Sequence, residues 1–255
     1  MLSSIISRLR AAGCVFAEDE AQLLISAART PADLDAMVSR RVAGLPLEHV
    51  LGWVSFCGLR VAVDPGVFVP RRRTEFLARQ AGALARPGHT VVDLCCGSGA
   101  VGATLSDVDL YAVDIDPAAV RCARRNLPAA HVYEGDLYEP LPAGLRADLL
   151  VANAPYVPTD AIELMPPEAR LHEPRVALDG GADGLDVLRR VIAGAPAWLA
   201  PAGHLLVETS ETQAPHLVEA AVRAGLVPRL ATDDDLGATV VIATNEPAPG
   251  TPPAR

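Results

Sequence analysis

Val91-Val92-Asp93-Leu94-Cys95-Cys96-Gly97-Ser98-Gly99-Ala100 reads as a short apolar strand that runs into a glycine turn and then opens a helix. Glycines let the backbone approach a ligand closely, and a helix N-terminus offers free N–H groups to it. The same pattern alone also describes a tight βα turn that binds nothing. Its surroundings decide the fold class. From Thr90 onward short apolar strands alternate with helical stretches, as βαβ units require. The expected strands are Thr90–Leu94, Leu110–Asp114, His131–Tyr133, Asp148–Ala152, His204–Glu208, Val227–Ala231 and Thr239–Thr244. Seven such strands fit one doubly wound, Rossmann-like α/β sheet.

Upstream the period is different. Leu2, Ile5, Ile6 and Leu9 follow the i, i+3, i+4, i+7 spacing of a helix with one apolar stripe, and a second helix is expected over Glu20 to Ala28. Thr30-Pro31-Ala32-Asp33 supplies a hydroxyl cap, a proline at the first helical position and an acid three residues after the cap, and Gly44 can end that third helix. From Val50 to Val63 apolar residues around Gly58 predict a hairpin. The expected division is a small helical domain with a hairpin over residues 1–64, the α/β domain over 65–246, and a Pro-rich tail over 247–255.

Half of the 255 residues are hydrophobic and 21% are charged, which predicts a folded, soluble chain rather than a disordered one. No apolar run reaches the roughly 20 residues that span a bilayer, and the N-terminus lacks a signal-peptide layout, so a cytoplasmic protein without membrane contact is expected. Five cysteines with no CxxC pair and no histidine at ligand spacing argue against disulfides and against a metal site. A net charge of −9 disfavours a nucleic-acid partner, because nonspecific grip on phosphates needs clustered Lys and Arg.

The second strand ends on Asp114, about 20 residues beyond the glycine turn, where a carboxylate can accept hydrogen bonds from both hydroxyls of a ribose, with Ile115 beside it. Asp93, Cys95, Cys96, Gly97, Ser98 and Gly99 are then expected around the rest of a nucleoside ligand. A nicotinamide dinucleotide would use similar geometry and is set lower on the glycine spacing and on Asp93, whose charge suits a sulfonium with an ammonium tail better than a pyrophosphate. S-adenosylmethionine is the expected cofactor. Asp136 after the third strand is a candidate for the adenine amino group, with Leu137 covering the ring. The adjacent Cys95 and Cys96 are read as packing residues, since a disulfide between neighbours is strained.

Asn153-Ala154-Pro155-Tyr156 follows the fourth strand, at the carboxyl end where open α/β sheets place their ligands. An amide nitrogen is a poor nucleophile because its lone pair is delocalised, so an enzyme must orient it and polarise its N–H bonds. Asn153 Oδ1 can accept one N–H and the Ala154 carbonyl the other, while Pro155 or Tyr156 stacks on the planar group. Pro155 restricts Ala154 to extended conformations, which holds that carbonyl outward. A polar turn without chemistry would also fit these four residues taken alone.

With glycine loop, ribose acid and tetrapeptide in register, the chain resembles the HemK/PrmC family of protein-(glutamine-N(5)) methyltransferases, which modify the GGQ loop of peptide-chain release factors. Gly44-Leu45-Pro46-Leu47-Glu48-His49-Val50-Leu51-Gly52 is similar to the family element G-x-P-x-x-Y-x-x-G, and Val69-Pro70-Arg71-Arg72-Arg73-Thr74-Glu75 to I-P-R-P-x-T-E. His172-Glu173-Pro174 and the stretch from Ala177 to Leu185 resemble the segment that follows the family tetrapeptide. The resemblance implies a class I methyltransferase fold behind a helical domain, Asp114 on the ribose, residues 95 to 99 around the methionine part, and a glutamine clamped by Asn153, Ala154, Pro155 and Tyr156. Arg71 is expected to organise the mouth of the site, with Arg72 or Arg73 facing solvent or the protein substrate. Ala154 stands where the family N-P-P-Y has proline, Cys95 stands where the loop usually has its first glycine, and the helical domain is shorter than usual. The competing readings are an adenine amino methyltransferase on nucleic acid and a noncatalytic subunit of the same fold.

Overall fold

The computed structural model describes residues 1–246; the tail expected at 247–255 lies outside them. Four helices come first: α1 (Leu2–Ala11), α2 (Ala17–Ala27), α3 (Pro31–Val42) and α4 (Leu47–Leu51). The cap of α3 forms as its sequence predicts: Thr30 Oγ1 accepts from Asp33 N at 3.1 Å, and Asp33 Oδ2 accepts from Arg29 N at 2.9 Å. Leu9, Leu24 and Val38 meet in a core of the helices' own. Val50, expected to begin the hairpin, instead belongs to α4, which ends on Gly52 at φ 79°.

Strands β1 (Trp53–Phe56) and β2 (Leu59–Ala62) form the hairpin. Its two-residue loop, Cys57-Gly58, has both φ angles positive at 48° and 78°, the I′-type geometry whose twist matches that of the strands. Phe56, Val61 and Val63 then pack into the core of the larger unit.

That unit carries a seven-stranded sheet built from β3 (Thr90–Leu94), β4 (Asp109–Asp114), β5 (His131–Glu134), β6 (Ala147–Ala152), β7 (Leu199–Thr209), β8 (Val227–Asp233) and β9 (Ala238–Thr244). The spatial order is β5-β4-β3-β6-β7-β9-β8. The first five in that order run parallel, and β9 enters antiparallel between β7 and β8. Central strands are buried on both faces, which is why they read as continuous apolar runs. Helices α5 (Thr74–Leu84) and α6 (Pro117–Asn126) cover one face, and α8 (Asp186–Trp198) and α9 (Ala214–Arg223) the other.

One expected element is missing. The glycine turn opens no α-helix; turns lead into a single 3-10 turn, Gly102–Thr104, before β4. Gly97 and Gly99 sit at φ 56° and 78°, outside the right-handed helical region, and only a few residues then remain before Asp109. Chain order reverses between β3 and β6, so the topological switch point lies at the carboxyl ends of those two strands.

Candidate active site

Two cavities open at this switch point and share a wall. The first is lined by Cys95 and Gly97 after β3, Asp114 and Ile115 after β4, Asp136 and Leu137 after β5, and Asn153 and Pro155 after β6. The second is lined by Arg71, Arg73, Asn153, Ala154, Pro155 and Tyr156. Phe68, Asn153, Pro155 and Ala177 border both. A donor held in one and an acceptor held in the other would therefore meet at the tetrapeptide.

In the first cavity, Asp114 Oδ2 accepts from Gly97 N at 2.8 Å and Oδ1 from Asp116 N at 2.9 Å. Burial raises its pKa and these backbone donors pull it back, leaving an oriented carboxylate with lone pairs free for hydroxyls. Asp136 is braced by Arg190, whose Nη2 donates to Oδ2 at 2.7 Å. Leu137 is buried at φ 50° and Ile115 is exposed, giving the cavity two apolar surfaces.

Four residues expected around the ligand do not line this cavity: Asp93, Cys96, Ser98 and Gly99. Asp93, read as facing a cationic ligand, turns behind the loop, and its Oδ2 accepts from Gly102 N at 3.1 Å. Burial pushes its pKa up to about 7. Ser98 is buried and its carbonyl accepts from Asn126 Nδ2 at 2.8 Å. A Cβ on Gly99 would come within 2.7 Å of Leu127, so that glycine answers to packing. Burial also raises the pKa of the Cys95 and Cys96 thiols, which keeps them protonated and unreactive. Cys95 adopts φ 55°, a left-handed conformation that explains why glycine usually stands there.

The glycines at 97, 99 and 102 do keep the dinucleotide spacing G-x-G-x-x-G, so they do not separate the two candidate ligands. The loop structure does. Pyrophosphate sits on the N-terminus of an α-helix, and none follows here.

In the second cavity, Asn153 Nδ2 donates to Thr74 Oγ1 at 3.1 Å, which fixes the amide and leaves Oδ1 as its acceptor. Ala154 is buried and Gln213 Nε2 donates to the Tyr156 carbonyl at 3.0 Å, so the tetrapeptide is held along its length. Arg71 lines this cavity, donates through Nη2 to the buried Glu173 at 2.5 Å and lies 4.8 Å from the Phe68 ring centre. Arg72 is exposed. Arg73 is also exposed yet borders the cavity, its guanidinium 5.6 Å from the Tyr156 ring centre.

A methyltransferase small domain model matches residues 58–173. A release factor glutamine methyltransferase of Geobacter sulfurreducens is 37% identical over 214 residues, covering 81% of this chain and 75% of the relative. The chain belongs to the release factor glutamine methyltransferase family. A second family member, from Streptomyces coelicolor, is 39% identical over 197 residues, 71% of this chain and 70% of its own. Among solved structures, a methyltransferase of Pyrococcus furiosus aligns with a TM-score of 0.58 at 14% identity over 84% of this chain and 99% of its own. The Mtq2-Trm112 complex of E. cuniculi, responsible for methylation of the eRF1 translation termination factor, aligns at 0.52 and 21% over 71% and 99%. At these identities the two structures speak for the fold, a class I methyltransferase sheet.

Sequence reasoning missed Phe68, Thr74, Arg190 and Gln213, which line or brace the two cavities. Phe68 immediately precedes the quoted stretch Val69 to Glu75 and Thr74 lies within it, so their neighbourhood was marked even though their roles were not. Among the described residues no group of three or more His, Cys, Asp or Glu is placed to hold a metal ion, and no helix is long and apolar enough to cross a membrane.

Proposed function

We propose that this chain transfers a methyl group from S-adenosylmethionine to the side-chain amide nitrogen of a glutamine in the GGQ loop of a peptide-chain release factor, in the cytoplasm. The observation that carries the reading is the shared wall: Asn153 and Pro155 border both cavities, and Asn153 already spends its Nδ2 on Thr74. The residues at the first cavity suit the cofactor. Asp114 would hold the ribose hydroxyls, Asp136 and Leu137 the adenine with Ile115 on its other side, and Cys95 and Gly97 the methionine part.

The cofactor supplies an electrophilic methyl on a sulfonium and leaves as S-adenosylhomocysteine. The chain's own contribution is orientation. Asn153 Oδ1 and the Ala154 carbonyl each accept one N–H of the glutamine amide, which turns the nitrogen lone pair toward the first cavity. As the N–C bond forms and the sulfur–methyl bond breaks, positive charge grows on that nitrogen, the two acceptors stabilise it, and one N–H proton passes to solvent as the product leaves. Pro155, Tyr156 and Phe68 exclude water from the planar group. Arg71 shapes the rim, and the N-terminal helices α1 to α4 would meet the protein that carries the loop.

Asp114→Ala is expected to weaken S-adenosylmethionine binding by about 1.5–3 kcal/mol, the worth of charge-assisted bonds to two hydroxyls. Calorimetric titration checks it, and unchanged affinity would remove Asp114 from the ribose. The acceptor is tested by offering release factor and duplex or single-stranded DNA side by side with labelled cofactor at low salt, which favours nucleic acid. Label should enter the release factor. A glycine-flanked glutamine reaches a narrow site at little steric cost, whereas a flipped base needs phosphate contacts that a chain of net charge −9 is poorly equipped to give. Label in DNA with none in protein would overturn the reading.

A further inference from the structure

An acid stands where the strand pattern calls for an apolar residue. Leu205-Leu206-Val207-Glu208 lies near the end of β7, and the parallel register pairs Ala152 with Val207, so Glu208 lies level with Asn153, which follows the neighbouring strand. Glu208 is 1% exposed. Burying a carboxylate is costly unless its oxygens are partnered, and an apolar residue of similar volume would spare that cost. The acid is therefore not explained by packing.

Its partners all belong to the second cavity. Oε1 accepts from the Tyr156 hydroxyl at 3.0 Å and from Arg73 Nε at 3.4 Å. Oε2 has no hydrogen-bond partner among the described residues. Thr74, the residue after Arg73, stands outside that cavity's lining but bonds Asn153. Its hydroxyl has one proton to give, and because it accepts from Asn153 Nδ2 that proton is free for an acceptor elsewhere. Burial pushes the pKa of Glu208 up, and the Thr74 hydroxyl, Arg73 and Tyr156 pull against it by favouring the ionised carboxylate. With Glu208 ionised, Tyr156 must act as donor, which fixes its ring. Arg73 is held beside that ring, and Thr74, whose hydroxyl also bears on the Glu208 carboxylate, receives the Asn153 amide.

We propose that Glu208 is a positioning residue for the transfer, one buried charge that sets Tyr156 and Arg73 directly and Asn153 through Thr74. The proposal rests on the function given above, so its test needs one readout that is independent of turnover. Glu208→Gln keeps the shape and one acceptor oxygen while removing the charge and the second oxygen. In the folded protein, the side-chain NH2 signals of Asn153 in a 15N–1H NMR spectrum, identified as the pair lost in Asn153→Asp, should shift in Glu208→Gln. With release factor as acceptor, kcat should fall about 10-fold or more, with the KM for S-adenosylmethionine unchanged within about 2-fold. Thr74→Val should cost a similar factor, and the double variant little more, because both act through one network.

Glu208→Leu guards against a fold effect, since it restores an apolar strand end and should still be slow. Wild-type kcat in both Glu208 variants, or Asn153 signals that stay in place, would overturn the proposal. If the wild-type protein methylates no release factor, the functional reading fails on its own, and the NMR comparison still decides whether Glu208 sets Asn153.

Discussion

Asn153→Ala is expected to lower turnover on release factor by about 100-fold or more, equivalent to roughly 2.7 kcal/mol or more of lost transition-state stabilisation. The Oδ1 atom is the acceptor that the Thr74 bond leaves free, and its partner is the nitrogen on which positive charge develops. Because that interaction strengthens as the bond forms, the loss should fall on kcat more than on affinity for the acceptor. Asn153 also borders the cofactor cavity, so S-adenosylmethionine binding should change, but by less than about 10-fold. Asn153→Asp sharpens the comparison. It keeps an acceptor oxygen yet loses the Nδ2 donor to Thr74 and adds a second carboxylate near the buried Glu208, so it should also be slow. Full activity in Asn153→Ala under single-turnover conditions would take Asn153 out of the mechanism.

What the sequence disclosed about this site follows a physical line. Asp114 and Asn153 were legible because one ends and the other directly follows a buried apolar strand at the carboxyl edge of the sheet, where a polar residue stands out. Their supports were not legible. Thr74 lies 79 positions from Asn153, Glu208 lies 52 from Tyr156 and Arg190 lies 54 from Asp136, so only the folded topology brings each pair together. Glu208 did leave a trace, as an acid closing the run Leu205-Leu206-Val207, but that run also reads as an ordinary strand end.

The same division holds for the fold. All seven strands were readable from apolar runs bounded by Gly, Pro and Asp, but β7 begins at Leu199 rather than at the expected His204: Pro201 and Gly203 look like a turn and are carried inside an irregular strand. The helix expected after Gly99 failed for a related reason: the glycines that invite a ligand also take left-handed conformations, and the short stretch left before β4 closes as a single 3-10 turn. Hydrophobic period marks elements well and says little about how a loop spends its glycines.

Arg41→Ala is expected to destabilise the protein by about 3–5 kcal/mol, although Arg41 is far from the tetrapeptide in sequence. Its side chain is only 6% exposed, and it meets Glu20 in a two-pronged pair, Nε to Oε2 at 2.6 Å and Nη2 to Oε1 at 3.0 Å. Nη1 donates to the Leu45 carbonyl at 3.0 Å and to Glu168 Oε1 at 2.6 Å, on α7 (Pro167–His172). Burial disfavours the charged guanidinium, but the two carboxylates more than offset it and raise the pKa of Arg41, so it stays ionised. Removing the guanidinium strands Glu20, whose side chain is 10% exposed, without its counter-charge, and that is the source of the large cost. Glu168 is 47% exposed and can return to water, so Glu168→Ala should cost no more than about 1 kcal/mol. The pair Arg41→Met with Glu20→Leu, which leaves no buried charge, should recover most of the loss. The helical core would loosen first in Arg41→Ala, and α7 would lose its tie to α3. That tie bears on the site, because the chain leaving α7 supplies Glu173 to Arg71 and Pro174, Val176 and Ala177 to the cavity walls. Denaturant unfolding of the three variants, read on far-UV circular dichroism, separates these terms. An Arg41→Ala protein within about 1 kcal/mol of wild type would mean that Glu20 finds water or a proton in its place, and that the buried pair does not hold α2 to α3.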